Sequence, residues 1–314
     1  MRKFILSMTM LVLVLCLKAN VSNAAEISAM ERLDYWDVSK EYTITNQDAT
    51  YHAYLSKDKK ESWIFKADVA KDKKNVKVVI PDKIENAPVV IVGATSGYDE
   101  ILAKQNLGSV GIQAPDGFYY LDAEVTLWGE LLEPWHYSGP YKKNIKSITM
   151  PDTVRYLGAA AFAYTTSVET IYLSNQLVSL REYTFLECKN LKKIDTFAKV
   201  KVEAKEAFTG CSKLTGLAYI TKHLDGDTLS FSNNMVIDLT EKDLVQVMPG
   251  AKKITIPKSV KWIEATAFKN TSIKTLKVSK KNKYFAVHKR CLYRKAEKEL
   301  VYVFGKGSTL TLSK

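Results

Sequence analysis

The sequence predicts a mainly β solenoid, a right-handed stack of short parallel strands with inserted β-hairpins and few short helical turns. Two observations lead to this fold class. A pattern of apolar residues returns every 23 residues from residue 145 onward, and a longer pattern returns after 56 residues in the last third of the chain. A fixed period of roughly 20 to 50 residues is the sequence signature of architectures in which each repeat stacks on the next.

The 23-residue period is visible in five columns. The first apolar position falls at Ile148, Ile171, Ile194 and Leu217. The other four columns hold an aliphatic residue, a phenylalanine after a small residue, a small or thiol residue, and a second aliphatic residue, in three successive turns: Val154, Phe162, Thr165 and Val168; Leu177, Phe185, Cys188 and Leu191; Val200, Phe208, Cys211 and Leu214. The unit that begins at Ile254 repeats the frame, with Phe268 at the phenylalanine position. Because one turn cannot bury its apolar side alone, we expect the turns to stack and the four phenylalanine rings to be buried.

The third turn departs from the frame at one position. Glu203 stands where the two earlier turns have Leu157 and Leu180. A charged residue is rarely buried without a partner. Two alternatives remain open at this point: the strand is shifted by one residue so that Val202 lies inside, or this turn is locally irregular.

The 56-residue period relates residues 233–250, "NNMVIDLTEKDLVQVMPG", to residues 289–306, "KRCLYRKAEKELVYVFGK". Each segment has two apolar runs on either side of a charged turn, "DLTEKD" or "RKAEKE". Two strand-like runs joined by a short polar segment are typical of a β-hairpin. The C-terminal half is therefore predicted to alternate plain repeats with repeats that carry a hairpin.

Four segments carry a more specific pattern: "ITMPDTVRYLGAAAF", "LREYTFLECKNLKKI", "AKEAFTGCSKLTGL" and "ITIPKSVKWIEATAF". They resemble the BspA-like leucine-rich-repeat family of secreted and surface bacterial proteins. The resemblance extends over residues 145–314, and over residues 76–93 as an opening repeat. It implies a leucine-rich-repeat solenoid and a secreted or surface-associated, adhesin-like interaction protein.

The N-terminal end predicts export. Residues 1–25 begin with Arg2 and Lys3, continue with an apolar run, and end in small residues, which is the pattern of a cleaved signal peptide. No later segment is apolar enough to predict a transmembrane span. Residues 26–93 are predicted to form an N-terminal β cap and the first repeat. We expect the protein to be secreted or extracellular, in association with the cell surface.

Residues 94–144 interrupt the repeats and form an aromatic-rich insertion, after which the solenoid occupies residues 145–314. Pro115-Asp116-Gly117 is a strong turn signal between two strand-like runs. Trp128, Trp135 and Tyr137 belong to a dense aromatic group. Two interpretations remain open: these rings form a stacking platform for a sugar or a protein, or they cover the end of the solenoid.

Net charge differs strongly between the last part of the chain and the rest. Residues 251–314 hold 17 Lys and Arg against 3 acidic residues, a net charge of +14, whereas residues 26–250 sum to −5. Lys280, Lys281, Lys283, Lys289 and Arg290 are interleaved with aromatic residues and are the candidate binding cations. The predicted partner of the protein is an extracellular protein or glycan, or an anionic cell-wall polymer, and no nucleic acid. For the basic residues, an anionic wall polymer or an acidic glycan is the hypothesis, because an exported chain is not expected to meet intracellular nucleic acid. A solvated lysine face is the alternative.

No catalytic motif, metal-ligand spacing or cofactor-binding turn is present in the sequence. We therefore predict an interaction protein with no catalytic residues, no metal and no cofactor. The alternative is a carbohydrate-active hydrolase or transferase with a site built by residues 94–144. Cys188 and Cys211 share a column on adjacent turns, where either a disulfide or two buried free thiols would fit; the threonines in the same column favour thiols.

Overall fold

The computed structural model describes residues 32–46, 49–70, 72–93, 144–196, 198–214 and 226–305, together with the backbone of four two-residue strands between them. The predicted signal peptide, residues 1–25, lies outside the described residues, as do Trp128, Trp135 and Tyr137.

The described residues form 25 short strands and two 3-10 helices. The first helix, Leu33–Tyr35, precedes β1 (Trp36–Asn46), β2 (Ala49–Ser56), β3 (Ser62–Val69), β4 (Val76–Val79), β5 (Lys83–Ile84) and β6 (Ala87–Val92). The two-residue strands are β7 (Ile112–Gln113), β8 (Tyr119–Tyr120), β9 (Glu124–Val125) and β10 (Leu131–Leu132). The first repeats hold β11 (Ile145–Thr149), β12 (Tyr156–Leu157), β13 (Thr170–Tyr172), β14 (Ser179–Leu180), β15 (Lys193–Asp195), β16 (Lys199–Val202) and the second helix, Lys205–Phe208. The remaining strands are β17 (Thr228–Ser232), β18 (Met235–Asp238), β19 (Asp243–Val247), β20 (Lys253–Ile256), β21 (Trp262–Ile263), β22 (Thr275–Val278), β23 (Phe285–His288), β24 (Cys291–Arg294) and β25 (Leu300–Val303).

The repeats stack through a parallel sheet of β4, β11, β13 and β15, in that spatial order. Val78, Ile148, Ile171 and Ile194 stand side by side in its register, and all four are buried. The strand of residues 76–79 therefore continues the ladder of repeat strands, at the position where the sequence predicts an opening repeat. β20 and β22 form a second, two-stranded parallel ladder in the later repeats. The predicted fold class, a mainly β leucine-rich-repeat stack of short parallel strands, is confirmed.

A second series of short parallel pairings follows each main strand, and it resolves the position of Glu203. Leu180 on β14 pairs with Val202 on β16, not with Glu203. Val202 is buried and Glu203 is exposed. The first alternative is confirmed: the strand is shifted by one residue. The extra residue falls in the segment of the 3-10 helix Lys205–Phe208, so the phenylalanine returns to its column.

The phenylalanine column is the centre of the first core. The rings of Phe162 and Phe185 stack with centroids 6.0 Å apart, and those of Phe185 and Phe208 lie 5.5 Å apart. All three are buried, and so is Phe268, whose ring stacks on Tyr302 at 4.1 Å. The predicted burial of the four rings is confirmed. Each ring therefore depends on the turn before or after it for part of its contact.

The thiol column adds a hydrogen bond between turns. Cys188 Sγ donates to the carbonyl of Phe162 at 3.2 Å, and Cys211 Sγ donates to that of Phe185 at 3.1 Å. Thr165 and Thr271, in the same column, donate their hydroxyls to the phenylalanine carbonyl of their own turn. Both cysteines are free thiols. This column therefore holds a small hydrogen-bond donor, which the threonine hydroxyl and the cysteine thiol both provide.

The tight turn after each phenylalanine needs a left-handed residue. Tyr164, Glu187, Gly210 and Asn270 each stand two residues after a phenylalanine, with φ of 58°, 58°, 79° and 60°. This region favours glycine and asparagine, so tyrosine and glutamate are less favourable there. The backbone N–H groups of Tyr164 and Glu187 each donate to a carbonyl of the next turn at 2.7 Å. These inter-turn bonds hold the unfavourable conformation in place.

The N-terminal strands cover the open side of the first repeat. β1, β2 and β3 are antiparallel, and β3 pairs in parallel with β6, which in turn pairs with β12. Trp63 Nε1 donates to the carbonyl of Gly93 at 2.7 Å. An aromatic cluster that includes Trp36, Trp63 and Tyr156 is buried between these strands and the second series of pairings. The first repeat therefore pairs with the N-terminal strands through β3 on one side and with the next repeat through β12 on the other.

Both predicted hairpins are present. β18 pairs antiparallel with β19, and β24 pairs antiparallel with β25, with β17 and β23 as third strands. The first hairpin lies between two hydrophobic cores. Val236 and Val245 face the core around Phe185, whereas Ile237 and Leu244 face a second core around Ile254 and Phe268. In the insertion, β7 and β8 pair antiparallel on either side of the predicted Pro-Asp-Gly turn.

The phenylalanine stack gives a stability prediction. Phe185→Ala removes a ring that contacts both neighbouring turns, so we expect the free energy of unfolding to fall by about 3–5 kcal/mol in urea denaturation. Tyr172→Ala is the matched control, because Tyr172 is 42% exposed on the outer face of the main sheet; we expect a change within about 0.5 kcal/mol. A loss below about 1 kcal/mol for Phe185→Ala would contradict the stacked register.

The buried thiols give a pH prediction. Burial raises the pKa of Cys188 well above its ordinary value and raises the pKa of Cys211 to about 12. Since an unfolded thiol ionises near pH 8.5, the stability that the neutral thiols contribute is complete below that pH and is lost as pH rises toward 12. Between pH 9 and 10 we expect the free energy of unfolding to fall by roughly 1 kcal/mol per thiol. The double variant Cys188→Thr, Cys211→Thr, which the threonines of this column make compatible with folding, should show a smaller fall. Parallel pH curves for the two proteins would argue against the thiols as the cause.

Candidate functional site

Positive charge is concentrated in the last repeats. Residues 251–305 hold 15 Lys and Arg against 3 acidic residues, Glu264, Glu297 and Glu299. In the earlier repeats, several lysines contact carboxylates: Lys146 and Lys192 both contact Glu169, and these contacts lower the pKa of Glu169. The cationic excess of the last repeats is therefore not required by the repeat architecture, which forms equally well with balanced charge.

The turn between β22 and β23 is fixed by one buried side chain, Asn282, which is 2% exposed. Its Nδ2 donates to the carbonyls of Pro257 and Val260 at 2.8 and 2.9 Å. Its Oδ1 accepts from the N–H groups of Tyr284 and Phe285 at 2.8 Å each. An asparagine amide has two donors and one acceptor oxygen with two lone pairs, so this side chain is fully satisfied. The turn is tied to the preceding repeat and to the following strand at once.

Three of the predicted cations project from this turn. Lys280, Lys281 and Lys283 are exposed, and none forms an ion pair with a described residue. The Lys295 ammonium donates to the carbonyl of Asn282 at 2.7 Å, which adds a fourth positive charge beside them. Because Asn282 holds the backbone, the three lysines are displayed on a defined turn.

The other two predicted cations lie at the opposite end of β23. Lys289 is exposed and left-handed at the β23–β24 turn, with φ 51°, and Arg290 beside it is half-buried. A four-residue strand separates the two groups, which corresponds to about 13 Å at the usual rise of a strand. The five predicted residues therefore lie in two groups, one at each end of β23. We call these five residues, with Trp262 and Arg294, the C-terminal basic surface.

Trp262 is the exposed aromatic residue of this surface. Its side chain is 53% exposed on β21. The guanidinium carbon of Arg294 lies 4.0 Å from the Trp262 ring centroid and 5.7 Å from that of Phe285, while Nε of Arg294 contacts Glu297 at 3.0 Å. A cation held over an indole ring is a favourable pair. The Arg294 guanidinium orients the Trp262 ring and leaves much of the indole exposed to a ligand.

Sequence reasoning did not select Trp262, although the repeat frame contained a signal for it. Trp262 holds the column position of Tyr156, one residue before an inward aliphatic side chain. Tyr156 is buried because the N-terminal strands cover it. Trp262 is on the last strand of its sheet, where β19 is its only strand partner among the described residues. Trp128, Trp135 and Tyr137 lie outside the described residues, so the aromatic platform in the insertion stays a prediction.

Neither a metal-binding cluster nor a membrane-spanning helix occurs among the described residues. They contain no group of three or more His, Cys, Asp and Glu side chains arranged to hold a metal ion. No helix in the described part of the chain has the length and apolar character needed to span a membrane. The absence of catalysis and of a cofactor stays a prediction.

Comparison with known proteins identifies the repeats. The family described as BspA type leucine rich repeat region matches residues 140–248 and 246–297, in six copies, together just over half of the chain. No curated protein matches the chain.

Three solved structures are similar at low identity. They are a leucine-rich-repeat protein of T. pallidum (17% identity, 73% of this chain and 80% of that chain, TM-score 0.33), a leucine-rich cell surface protein of Faecalibacterium prausnitzii (15%, 84% and 62%, 0.32) and the pneumococcal vaccine antigen PcpA (16%, 83% and 56%, 0.29).

Asn282 gives a prediction for the geometry of the site. Asn282→Ala leaves two carbonyls and two N–H groups without their partner, so we expect the free energy of unfolding to fall by at least about 2 kcal/mol. Hydrogen exchange at Tyr284 and Phe285 should become faster in the same variant. Lys283→Ala, an exposed change in the same turn, should alter neither quantity. Unchanged exchange at these two amides in Asn282→Ala would show that the turn does not depend on this side chain.

Proposed function

The chain belongs to the family of BspA type leucine rich repeat proteins, and we propose that it is a secreted or surface-associated interaction protein. Its proposed ligand is an anionic polymer of the cell envelope or the extracellular matrix, bound without catalysis by the C-terminal basic surface. The predicted signal peptide at residues 1–25 supports export.

The observation that carries the proposal is the division of the cations into two groups. Lys280, Lys281 and Lys283 lie at one end of β23, and Lys289 and Arg290 lie at the other. A small anion can contact only one of these groups, because about 13 Å separates them. A polymer with repeated negative charges can contact both at once, and each additional contact raises the effective affinity without a new site.

Trp262 supports a ligand that contains sugar rings. The open part of its indole presents an apolar surface beside cations, which suits the apolar face of a sugar that also carries negative groups. A polyanion without sugars would use the lysines and leave the indole uncovered. The acidic polysaccharide is therefore the favoured class of polymer.

The experiment measures binding of the mature protein to heparin, an acidic polysaccharide, and to polyglutamate at several salt concentrations. We expect affinity for both to fall steeply with salt, since exposed charges are screened within about 10 Å at 0.1 M. The triple variant Lys280→Glu, Lys281→Glu, Lys283→Glu should weaken binding at least about tenfold and lower the salt dependence. The control variant Lys57→Glu, Lys59→Glu, Lys60→Glu makes the same charge change in the exposed β2–β3 turn and should bind as the parent does.

Trp262→Ala separates the two classes of polymer. We expect it to weaken heparin binding by several-fold and to leave polyglutamate binding unchanged, because only the sugar contacts the indole. Equal affinity of the first triple variant and the parent would refute the proposed surface. A loss of the same size in the control variant would mean that total charge, and not this surface, determines binding.

A further inference from the structure

The two hairpins have the same register and different surroundings. Met235 pairs with Val247 and Ile237 with Leu244 in the first hairpin; Cys291 pairs with Val303 and Tyr293 with Leu300 in the second. Each pairing in the second lies 56 residues after its counterpart, and both hairpins have the same register shift in the middle. The first hairpin therefore indicates what the second one is shaped to contact.

The outer face of the second hairpin is exposed where the first is buried. Leu244 and Val247 are fully buried, because they pack into the core around Ile254 and Phe268. Their counterparts, Leu300 and Val303, are 43% and 38% exposed. The opposite face does not differ in this way, since Leu292 is buried against the same core as Phe268. Within residues 226–305, this apolar face therefore lacks the layer that covers its counterpart one unit earlier.

The edge of the second hairpin shows the same contrast. In the first hairpin, the carbonyls of Lys242 and Leu244 accept from the N–H groups of Lys261 and Glu264 at 2.8 and 3.0 Å. The N–H of Val247 donates to Ala267 at 2.7 Å, so β21 with its following turn satisfies this edge. The counterparts are Lys298, Leu300 and Val303. Among the described strands, β25 pairs with β24 alone. A strand edge with open backbone groups is a template for one more strand.

We propose that β25 and its outer face bind an extended strand of an acidic partner protein, added in parallel as β21 is added to β19. Strand addition gives affinity through main-chain bonds and specificity through alternate side chains. The alternate apolar side chains of the partner would cover Leu300 and Val303, as Ile263 and its neighbours cover their counterparts.

Charge selects the acidic partner. Lys298 precedes β25, and Arg290 lies at its far end, where its carbonyl accepts from the N–H of Phe304 at 3.1 Å. The surrounding residues 251–305 carry a net charge of +12. A second copy of this chain would bring the same positive region against the first, which opposes association. An acidic strand would meet Lys298 near the start of β25 and Arg290 near its end, whereas Glu299 is the acidic residue that adjoins the strand.

The test uses peptides whose sequence comes from the strand that occupies the equivalent edge. Residues 258–268 give KSVKWIEATAF, and its acidic form is ESVEWIEATAF. We expect the full mature protein to bind the acidic peptide at least about tenfold more tightly than the basic one in fluorescence anisotropy. The double variant Leu300→Lys, Val303→Lys should lose this binding, since lysines on an edge strand block pairing. Val79→Lys, a change at a similarly exposed residue of the main sheet, should retain it.

Four further outcomes decide the proposal. Loss of binding by an acidic peptide methylated at alternate backbone nitrogens would support strand addition. Equal binding of a scrambled acidic peptide would overturn it, because charge alone would then explain the affinity. Binding that develops only after residues 306–314 are removed would overturn the external partner in favour of that segment. A dimer of the parent protein that the double variant abolishes, seen by light scattering, would assign the face to a second copy and overturn the acidic partner.

Discussion

The structure depends on one constraint: no repeat can bury its own apolar face, so every turn needs a neighbour on each side. The ring of Phe185 lies between those of Phe162 and Phe208, and the thiols of Cys188 and Cys211 donate to carbonyls of the preceding turn. The left-handed residues Tyr164 and Glu187 are also held by backbone bonds to the next turn. Stability in such a stack is a sum of nearest-neighbour interfaces. The ends of the stack and the junctions within it are therefore the positions where the chain must supply something other than a repeat.

The ends and junctions of the stack are covered in different ways along the chain. At the N-terminal side, β1–β3 and an aromatic cluster cover the opening repeat. In the middle, the first hairpin has one face in each of two cores and joins them. Beyond it, Leu300 and Val303 remain exposed, and Trp262 lies open on an edge strand. Since the cationic residues are concentrated in the same repeats, the exposed apolar side chains and the excess of positive charge occur together. That coincidence is the reason why we propose the C-terminal part as the binding region.

The repeats and hairpins could be predicted because their information is periodic and local. The 23-residue columns placed the four buried phenylalanines, the 56-residue shift placed both hairpins, and the burial of Val202 in place of Glu203 was one of two alternatives that the frame allowed. The site was harder to predict, because it depends on which residues remain uncovered. Trp262 and Tyr156 share a column, and only the N-terminal strands make one buried and the other exposed. Asn282 was missed for a related reason: its four hydrogen bonds join residues up to 25 positions apart, and no motif marks them.

Hydrogen exchange of the isolated mature protein, followed by mass spectrometry with single-residue resolution, tests the neighbour constraint most directly. The amides of Leu244 and Val247 and those of Leu300 and Val303 have the same strand register and differ in whether a further layer covers them. We expect slow exchange for the first pair, near the limit set by global unfolding, and exchange faster by orders of magnitude for the second pair. Equal protection of the two pairs would contradict the claim that each turn of the stack is stabilised by the one that follows it.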